Sequence, residues 1–205
     1  MPEEFWKKKE ELDMMIKNLA MKRSTRIYRS DPAHISDVID VINAAIYAPS
    51  GANTQPWRFI IVDDEKVKRN IREGAEKADQ KFHREAPEWF KNWLKDNKIT
   101  PEKRFLTEAP LLVVVAALTT MPYWLESTWI SIGYMILAVE AKGLSSLTYT
   151  PGETDFLNTL LDIPKDYCIV AILPIGFSEE KQRSKPKRKN ITQLVFKNRF
   201  GEEVF

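Results

Sequence analysis

Four short stretches carry side chains that could act together on one ligand. Lys22 to Arg26 reads KRSTR. Arg23 and Arg26 can fork onto phosphate oxygens, and Ser24 can add a hydroxyl donor. Ala48 to Phe59 reads APSGANTQPWRF. There Ser50, Asn53 and Gln55 offer donors and acceptors, Pro49 and Pro56 stiffen the chain, and Gly51 admits close backbone approach. A flat heteroaromatic ring with acceptors along one edge would suit that stretch. Ser145 to Glu153 reads SSLTYTPGE; a strand ending at Thr148, Tyr149 and Thr150, stopped by Pro151, could point hydroxyls into a site. Lys181 to Asn190 reads KQRSKPKRKN, where one arginine could close over a phosphate. Taken singly, each stretch equally reads as a solvated loop, a satisfied turn, a plain strand end or a basic tail.

Other chemistries are excluded by what is missing. The one cysteine, Cys168, rules out an internal disulfide and any CxxC site. It sits in the apolar run YCIVAILPIGF and reads as a buried small hydrophobe, in keeping with a reducing compartment. Two histidines and no HExxH argue against a metal centre. GxxxxGK[ST] and GxGxxG do not occur, so any phosphate must be held by side chains, with help from a helix expected to start near Asp31. A net charge of +2 gives no case for nucleic acid or an anionic membrane as partner, and the basic run has no interleaved aromatics. The charged N-terminus is not a signal peptide, and the longest apolar stretch, WISIGYMILAVEA, is too short to span a bilayer. A cytoplasmic location is expected.

These residues need elements to hold them. At 205 residues, 43% hydrophobic and 29% charged, the chain reads as one soluble domain over 1–205. Phe5, Leu12, Met15, Ile16 and Leu19 mark an amphipathic helix from Glu3 to Met21. Asp31 and Pro32 read as a helix start, followed at helical spacing by Ile35, Val38, Ile39, Ile42, Ala45 and Ile46 and stopped at Pro49. WRFIIVDD is a strand. Lys66 to Lys98 reads as helices whose aromatics are Trp89, Phe90 and Trp93. APLLVVVAAL, from Ala109, is a buried strand. STWISIGYMILAVEAKG is a helix apolar nearly all round, buried in the core or against a second subunit. LSSLTYT and DYCIVAILPIGF complete the strands. Interleaved helices and strands without strict alternation give an α+β domain, and the tail from Ser178 is long enough to embrace a partner.

Together, RSTR, APSGANTQPWRFIIV, TYTPGE, LPIGF and KRK resemble, in this order, the flavin-dependent nitroreductase family from Lys22 to Leu194. APSGA, the Thr-x-Thr-Pro step and the late KRK resemble its iodotyrosine deiodinase branch. The resemblance implies a central mixed sheet flanked by helices, a homodimer with domain-swapped arms, and FMN at the dimer interface. It assigns Arg23, Ser24 and Arg26 to the phosphate and ribityl end, with Arg188 closing on the phosphate. Pro49, Ser50, Gly51 and Asn53 would edge the isoalloxazine from the other subunit, with Ala52 against the substrate. Thr148, Tyr149 and Thr150 would lie beside the ring, Thr150 near flavin N5 in the catalytic position.

Lys103, six residues before Ala109-Pro110, stands where the deiodinases carry a lysine that grips the substrate zwitterion. An ungapped count from it places Ala78 and Phe82 where their Glu and Tyr stand, and Glu76, Asp79 or Glu85 could substitute. Residues 73–103 are thus an active-site lid or a solvated helical pair. The implied activity is an FMN enzyme that takes hydride from NADH or NADPH. It would reduce a small aromatic substrate (nitroaromatic, quinone or halophenol) in a ping-pong cycle. The alternatives are reductive dehalogenation of a halotyrosine and a flavin-binding protein without turnover.

Overall fold

The computed structural model describes Met14, residues 22–180 and residues 188–204. Met14 apart, the expected first helix lies outside the described residues, as does most of the basic run after Glu180. Lys22–Glu180 forms one unit, and the two chain ends form another.

Within the first unit, helix α1 spans Ile35–Ala45. It does not start at Asp31 as the Asp-Pro pair suggests. Its N-cap is His34, whose carbonyl accepts from the backbone of Asp37 and Val38. The Asp31 carboxylate is taken by Arg29 Nε at 2.7 Å instead, so it does not cap the helix, which begins a few residues on. The helix also stops before Pro49, with Ile46 as its C-cap.

Strand β1 is Trp57–Val62, and helices α2 and α3 are Glu65–Glu85 and Glu88–Asp96. Asp64 caps α2 by accepting from the Val67 N–H at 2.8 Å. A short helix α4, Phe105–Glu108, leads into β2, Leu111–Leu118. Helix α5 spans Trp124–Ala141 and ends at Gly143, whose φ of 69° is the left-handed conformation that favours glycine after a helix. Strand β3 is only Ser145–Ser146, followed by α6, Asp155–Leu160, and β4, Tyr167–Gly176.

The strands form one sheet in the order β1-β2-β4-β3. Among the described residues every pairing in it is antiparallel, whereas a mixed sheet was expected. The α5 crossover does make β2 and β3 run parallel to each other, but β4 sits between them and pairs antiparallel with both. Leu111 to Ala117 are all buried, as a continuous apolar run in a two-sided strand requires. Alternate β2 side chains serve opposite faces. Leu112, Val114 and Ala116 pack with Ile71, Ala75, Leu106 and Leu157 on one side. Leu111, Val113, Val115 and Ala117 pack with Val38, Val41, Ile132 and Met135 on the other. The sheet is therefore the middle layer, with α1 and α5 on one face and α2, α4 and α6 on the other.

In the second unit, Ile191–Gln193 forms a 3-10 turn closed by a capping box on Asn190. Phe196 bridges to Glu203 and its ring lies 4.5 Å from that of Phe200. Arg188 is exposed. Ile191, Leu194 and Phe200 are exposed apolar groups on this segment.

Candidate active site

The basic segment is laid along the β3 edge. The Thr25 N–H donates to the Ser146 carbonyl at 3.3 Å, and Lys22 Nζ reaches the same carbonyl at 3.0 Å and Glu140 at 3.6 Å. Burial lowers the Lys22 ammonium below the usual lysine range, against the pull of Glu140. Arg23 is half-buried and donates to the Lys22 carbonyl at 2.8 Å. Ser24 and Arg26 face solvent. The Arg26 backbone N–H is held by Glu180 at 2.7 Å. Thr25 and Tyr28, by contrast, are inward and buried. The fold thus keeps Thr25 and Tyr28 and leaves Ser24 and Arg26 at the surface.

Thr148 and Thr150 extend from the same edge and are exposed, while Tyr149 between them is buried. The Tyr149 backbone exchanges hydrogen bonds with Ile172 at 2.9 and 2.8 Å. Its phenol donates to Asp79 Oδ1 at 3.1 Å. Burial drives this phenol far above the ordinary tyrosine range, and the Asp79 charge adds to it, so it remains a donor at any working pH. Tyr149 therefore belongs to the core by its side chain, and only Thr148 and Thr150 present hydroxyls outward.

Lys103 is buried. Its ammonium lies 2.7 Å from Asp79 Oδ2, donates to the Thr100 carbonyl at 2.6 Å and sits 5.8 Å from the Tyr149 ring centre. Of the three acidic candidates, Asp79 is the one that meets this lysine. Glu76 instead accepts the Lys103 backbone N–H at 2.8 Å and pairs with Arg72 at 2.7 Å. Burial opposes the Glu76 charge, yet these donors outweigh it and hold the carboxyl below the usual glutamate range. Helix α2 then continues along the strand end. Lys81 pairs with Glu153, and Phe82 lies under Gly152, where an added Cβ would meet Phe82 Cβ at 3.5 Å. Beyond it, Phe82, Trp89 and Trp93 are exposed around Phe90, whose ring stacks on Trp93 at 5.5 Å.

The turn after α1 is strained. Ala52, Asn53 and Gln55 hold φ values of 50°, 55° and 44°, a conformation costing non-glycine residues on the order of 1–3 kcal/mol each. Helix α5 holds it in place. Ser127 Oγ accepts the Gly51 N–H at 3.1 Å, and any Cβ at Gly51 would come within 2.6 Å of Tyr123. Ser50 Oγ accepts from the Gln55 N–H at 3.1 Å. Thr54 Oγ1, directly behind the turn, is a buried oxygen without a hydrogen-bond partner among the described residues. Orphans of this kind mark a bound water, a bound ligand or stored strain.

Sequence reasoning found the turn but missed its supports. The signal was the hydroxyl stripe Ser127, Thr128 and Ser131 inside an otherwise apolar helix; Ser131 Oγ likewise donates to the Ala45 carbonyl at 3.0 Å. Strain and an orphaned hydroxyl at one turn, with outward arginines and threonines at one sheet edge, match the donor set a phosphorylated heteroaromatic needs.

The two groups do not meet within one chain. The turn is anchored at Ser127, near the start of α5, and Lys22 at Glu140, near its end. At 1.5 Å per residue these anchors are about 20 Å apart along the helix. One other sequence expectation is adjusted. Cys168 is only partly buried, since its strand end borders a groove of about 760 Å³ that no expected site residue lines. Burial, then the nearby Asp155 charge, raises its thiol above the usual range. Among the described residues no group of His, Cys, Asp or Glu could hold a metal ion, and no helix is long and apolar enough to cross a membrane.

The layered sheet with its edge of arginines and threonines defines an α+β domain of the nitroreductase type. A profile of the nitroreductase family matches residues 19–177, and the chain belongs to that family. Its similarities point to one branch of it. It is 37% identical over 180 residues to the iodotyrosine deiodinase of Thermotoga neapolitana, covering 87% of this chain and 97% of that one. It is 31% identical to the iodotyrosine deiodinase of Haliscomenobacter hydrossis, over 78% of this chain and 77% of that one. A crystal structure of oxidised iodotyrosine deiodinase bound to FMN and 3-iodo-L-tyrosine superposes with a TM-score of 0.84 at 34% identity, covering 91% of this chain and all of that one. An FMN-dependent nitroreductase of Clostridium difficile shares the fold, with a TM-score of 0.72 at 22% identity over 90% of this chain and 99% of that one.

Proposed function

We propose that the chain is an FMN-dependent oxidoreductase that reductively dehalogenates a halotyrosine-type phenol. The observation that carries this is the meeting of Lys103 with Asp79, one residue from the Ala78 that an ungapped count gives and beside the strand end that bears Thr150. Asp79 supplies the carboxylate for an α-ammonium group, and Lys103 supplies the ammonium for an α-carboxylate. Residues 73–103 then act as the lid.

Arg23, Ser24 and Arg26, with Arg188, would hold the FMN phosphate and ribityl end. Pro49, Ser50, Gly51 and Asn53 would edge its ring, and Thr148, Tyr149 and Thr150 would run beside it. When bound, the flavin supplies the two electrons needed to replace an aryl carbon–halogen bond by carbon–hydrogen, with one proton entering the ring and halide leaving. In this reading the Thr150 hydroxyl donates at the flavin edge and Ala52 backs the substrate. Because the turn and the basic segment are held some 20 Å apart, one flavin touching both takes them from two chains. The exposed Ile39 on α1, Ile46 and Tyr47 just after it, and Trp129, Ile130 and Tyr134 on α5 supply an apolar face for that homodimer. NADH or NADPH would be the transient reductant.

A second reading is supported by the exposed aromatic cluster of Phe82, Trp89 and Trp93. It suits a flat acceptor without a charged tail, such as a nitroaromatic or a quinone. Anaerobic titration of the reduced protein separates the two. Iodotyrosine should reoxidise it with release of iodide. Reoxidation by nitrobenzoate or quinone alone would select the second reading.

A further inference from the structure

The buried phenol of Tyr149 neither faces the exposed hydroxyls beside it nor bears a charge for the substrate. We infer that Tyr149 is a positioning residue that ties the lid helix α2 to the strand end carrying Thr150. The part of Thr150 rests on the flavin reading above; the mechanical tie does not.

Three elements converge on this side chain. Its backbone is locked to β4 through Ile172, so the strand end cannot slide. Its hydroxyl donates to Asp79 of α2 at 3.1 Å. Its ring stands edge-on to Phe105, with centroids 5.5 Å apart, and 5.8 Å from Lys103 Nζ. Asp79 is therefore held by two donors, one on each carboxylate oxygen, Tyr149 from the strand and Lys103 from the loop before α4. The other ties between α2 and this strand end are weaker. Lys81 and Glu153 pair in solvent, where ion pairs contribute little, and Phe82 merely touches Gly152. A hydrogen bond from a buried donor to a carboxylate is the strong member of the set. Remove it and Asp79 is held by Lys103 alone, and the Asp79 end of α2 keeps only the weaker ties to the strand end that bears Thr150, while Ile71 and Ala75 stay packed in the core.

Tyr149→Phe keeps the ring and removes only the hydroxyl. In hydrogen-exchange mass spectrometry on the purified protein with its bound flavin, residues 76–85 and 149–153 should exchange about fivefold faster or more than in the unchanged protein. Tyr28→Phe is the control. It loses another buried hydroxyl, which bonds to the Thr25 and Pro174 carbonyls at 3.2 Å each, and should leave exchange in α2 as it was. Asp79→Asn, which also takes the ion-pair partner from Lys103, should accelerate exchange in the same residues at least as much, and adding Tyr149→Phe to it should give less than the sum of the two. With iodotyrosine as substrate, KM should rise about tenfold, by more than kcat falls. Unchanged exchange in α2, or equal acceleration in every element, would overturn the inference. If the protein bound no flavin or turned over no halotyrosine, the kinetic arm would fail with the proposed function, while the exchange comparison would still decide the tie.

Discussion

Lys103 and Asp79 form an ion pair at 2.7 Å with side chains only 8% and 12% exposed. One lies on α2 and the other on the loop leading into α4. Removing one partner of a buried pair leaves an uncompensated charge, at roughly 3–5 kcal/mol. In a chain of this size each kcal/mol moves Tm by about 2–4 °C. Lys103→Met should therefore lower Tm by roughly 10 °C in calorimetry. The double variant with Asp79→Asn should recover most of that loss. A drop below about 2 °C would mean that water already reaches the pair.

The phosphate assignment predicts graded loss of cofactor. Arg23→Ala and Arg188→Ala should each weaken FMN retention about tenfold or more, the equivalent of one charge-assisted hydrogen bond. Arg29→Ala should not, because that guanidinium is committed to Asp31. Equilibrium dialysis against FMN reads all three. Retention unchanged from the parent chain in both phosphate variants would refute the assignment.

If the flavin site is shared between subunits, breaking the dimer must empty it. Ile130 is 43% exposed on α5, and a glutamate there would place a charge in the proposed interface. Ile130→Glu should elute as a monomer on size exclusion and lose its yellow colour together. A flavin-replete monomer would sink the shared-site reading.

Glu76 gives a pH signature. Its carboxyl is held below the usual glutamate range in the folded chain, against the effect of burial. Such a group adds stability above its unfolded pKa and withdraws it as pH falls through the folded value. The loss therefore belongs to the acid limb, beneath the ordinary glutamate range. A series of Tm measurements from pH 7 down to pH 3 should show Glu76→Gln less stable at neutral pH and converging on the unchanged chain in acid. Parallel curves at all pH values would show that the shift has no energetic weight.

Much of the fold could be read from short-range pattern. The β-branched and aromatic run WRFIIV and the unbroken apolar run of LLVVVAAL gave β1 and β2, because strand preference and burial are written into neighbouring residues. Lys66 to Lys98 was correctly read as helical. What failed was long-range. Asp31 looked like a cap, but Arg29 competes for its carboxylate. The mixed sheet was expected from the family resemblance, and nothing local could correct it, since no short stretch says that β4 inserts between β2 and β3.

The site divides in the same way. Arginines and hydroxyls announce themselves by type, whereas facing depends on pleat. Tyr149 was grouped with Thr148 and Thr150 by adjacency, yet alternation turns its side chain to the opposite face. The choice of Asp79 over Glu76 and Glu85 needed the helix placed against Lys103. Ser127 and Tyr123, which hold the strained turn, lie too far along the chain for any motif to connect them.

The sheet order also sets a schedule for synthesis. The chain leaves the ribosome at roughly 5–20 residues per second. Tyr167 follows Leu118 by nearly fifty residues, so Leu111–Leu118 waits several seconds with one edge unpaired. An apolar strand with an open edge is a template for aggregation. That interval, rather than the finished fold, is when the chain exposes this edge.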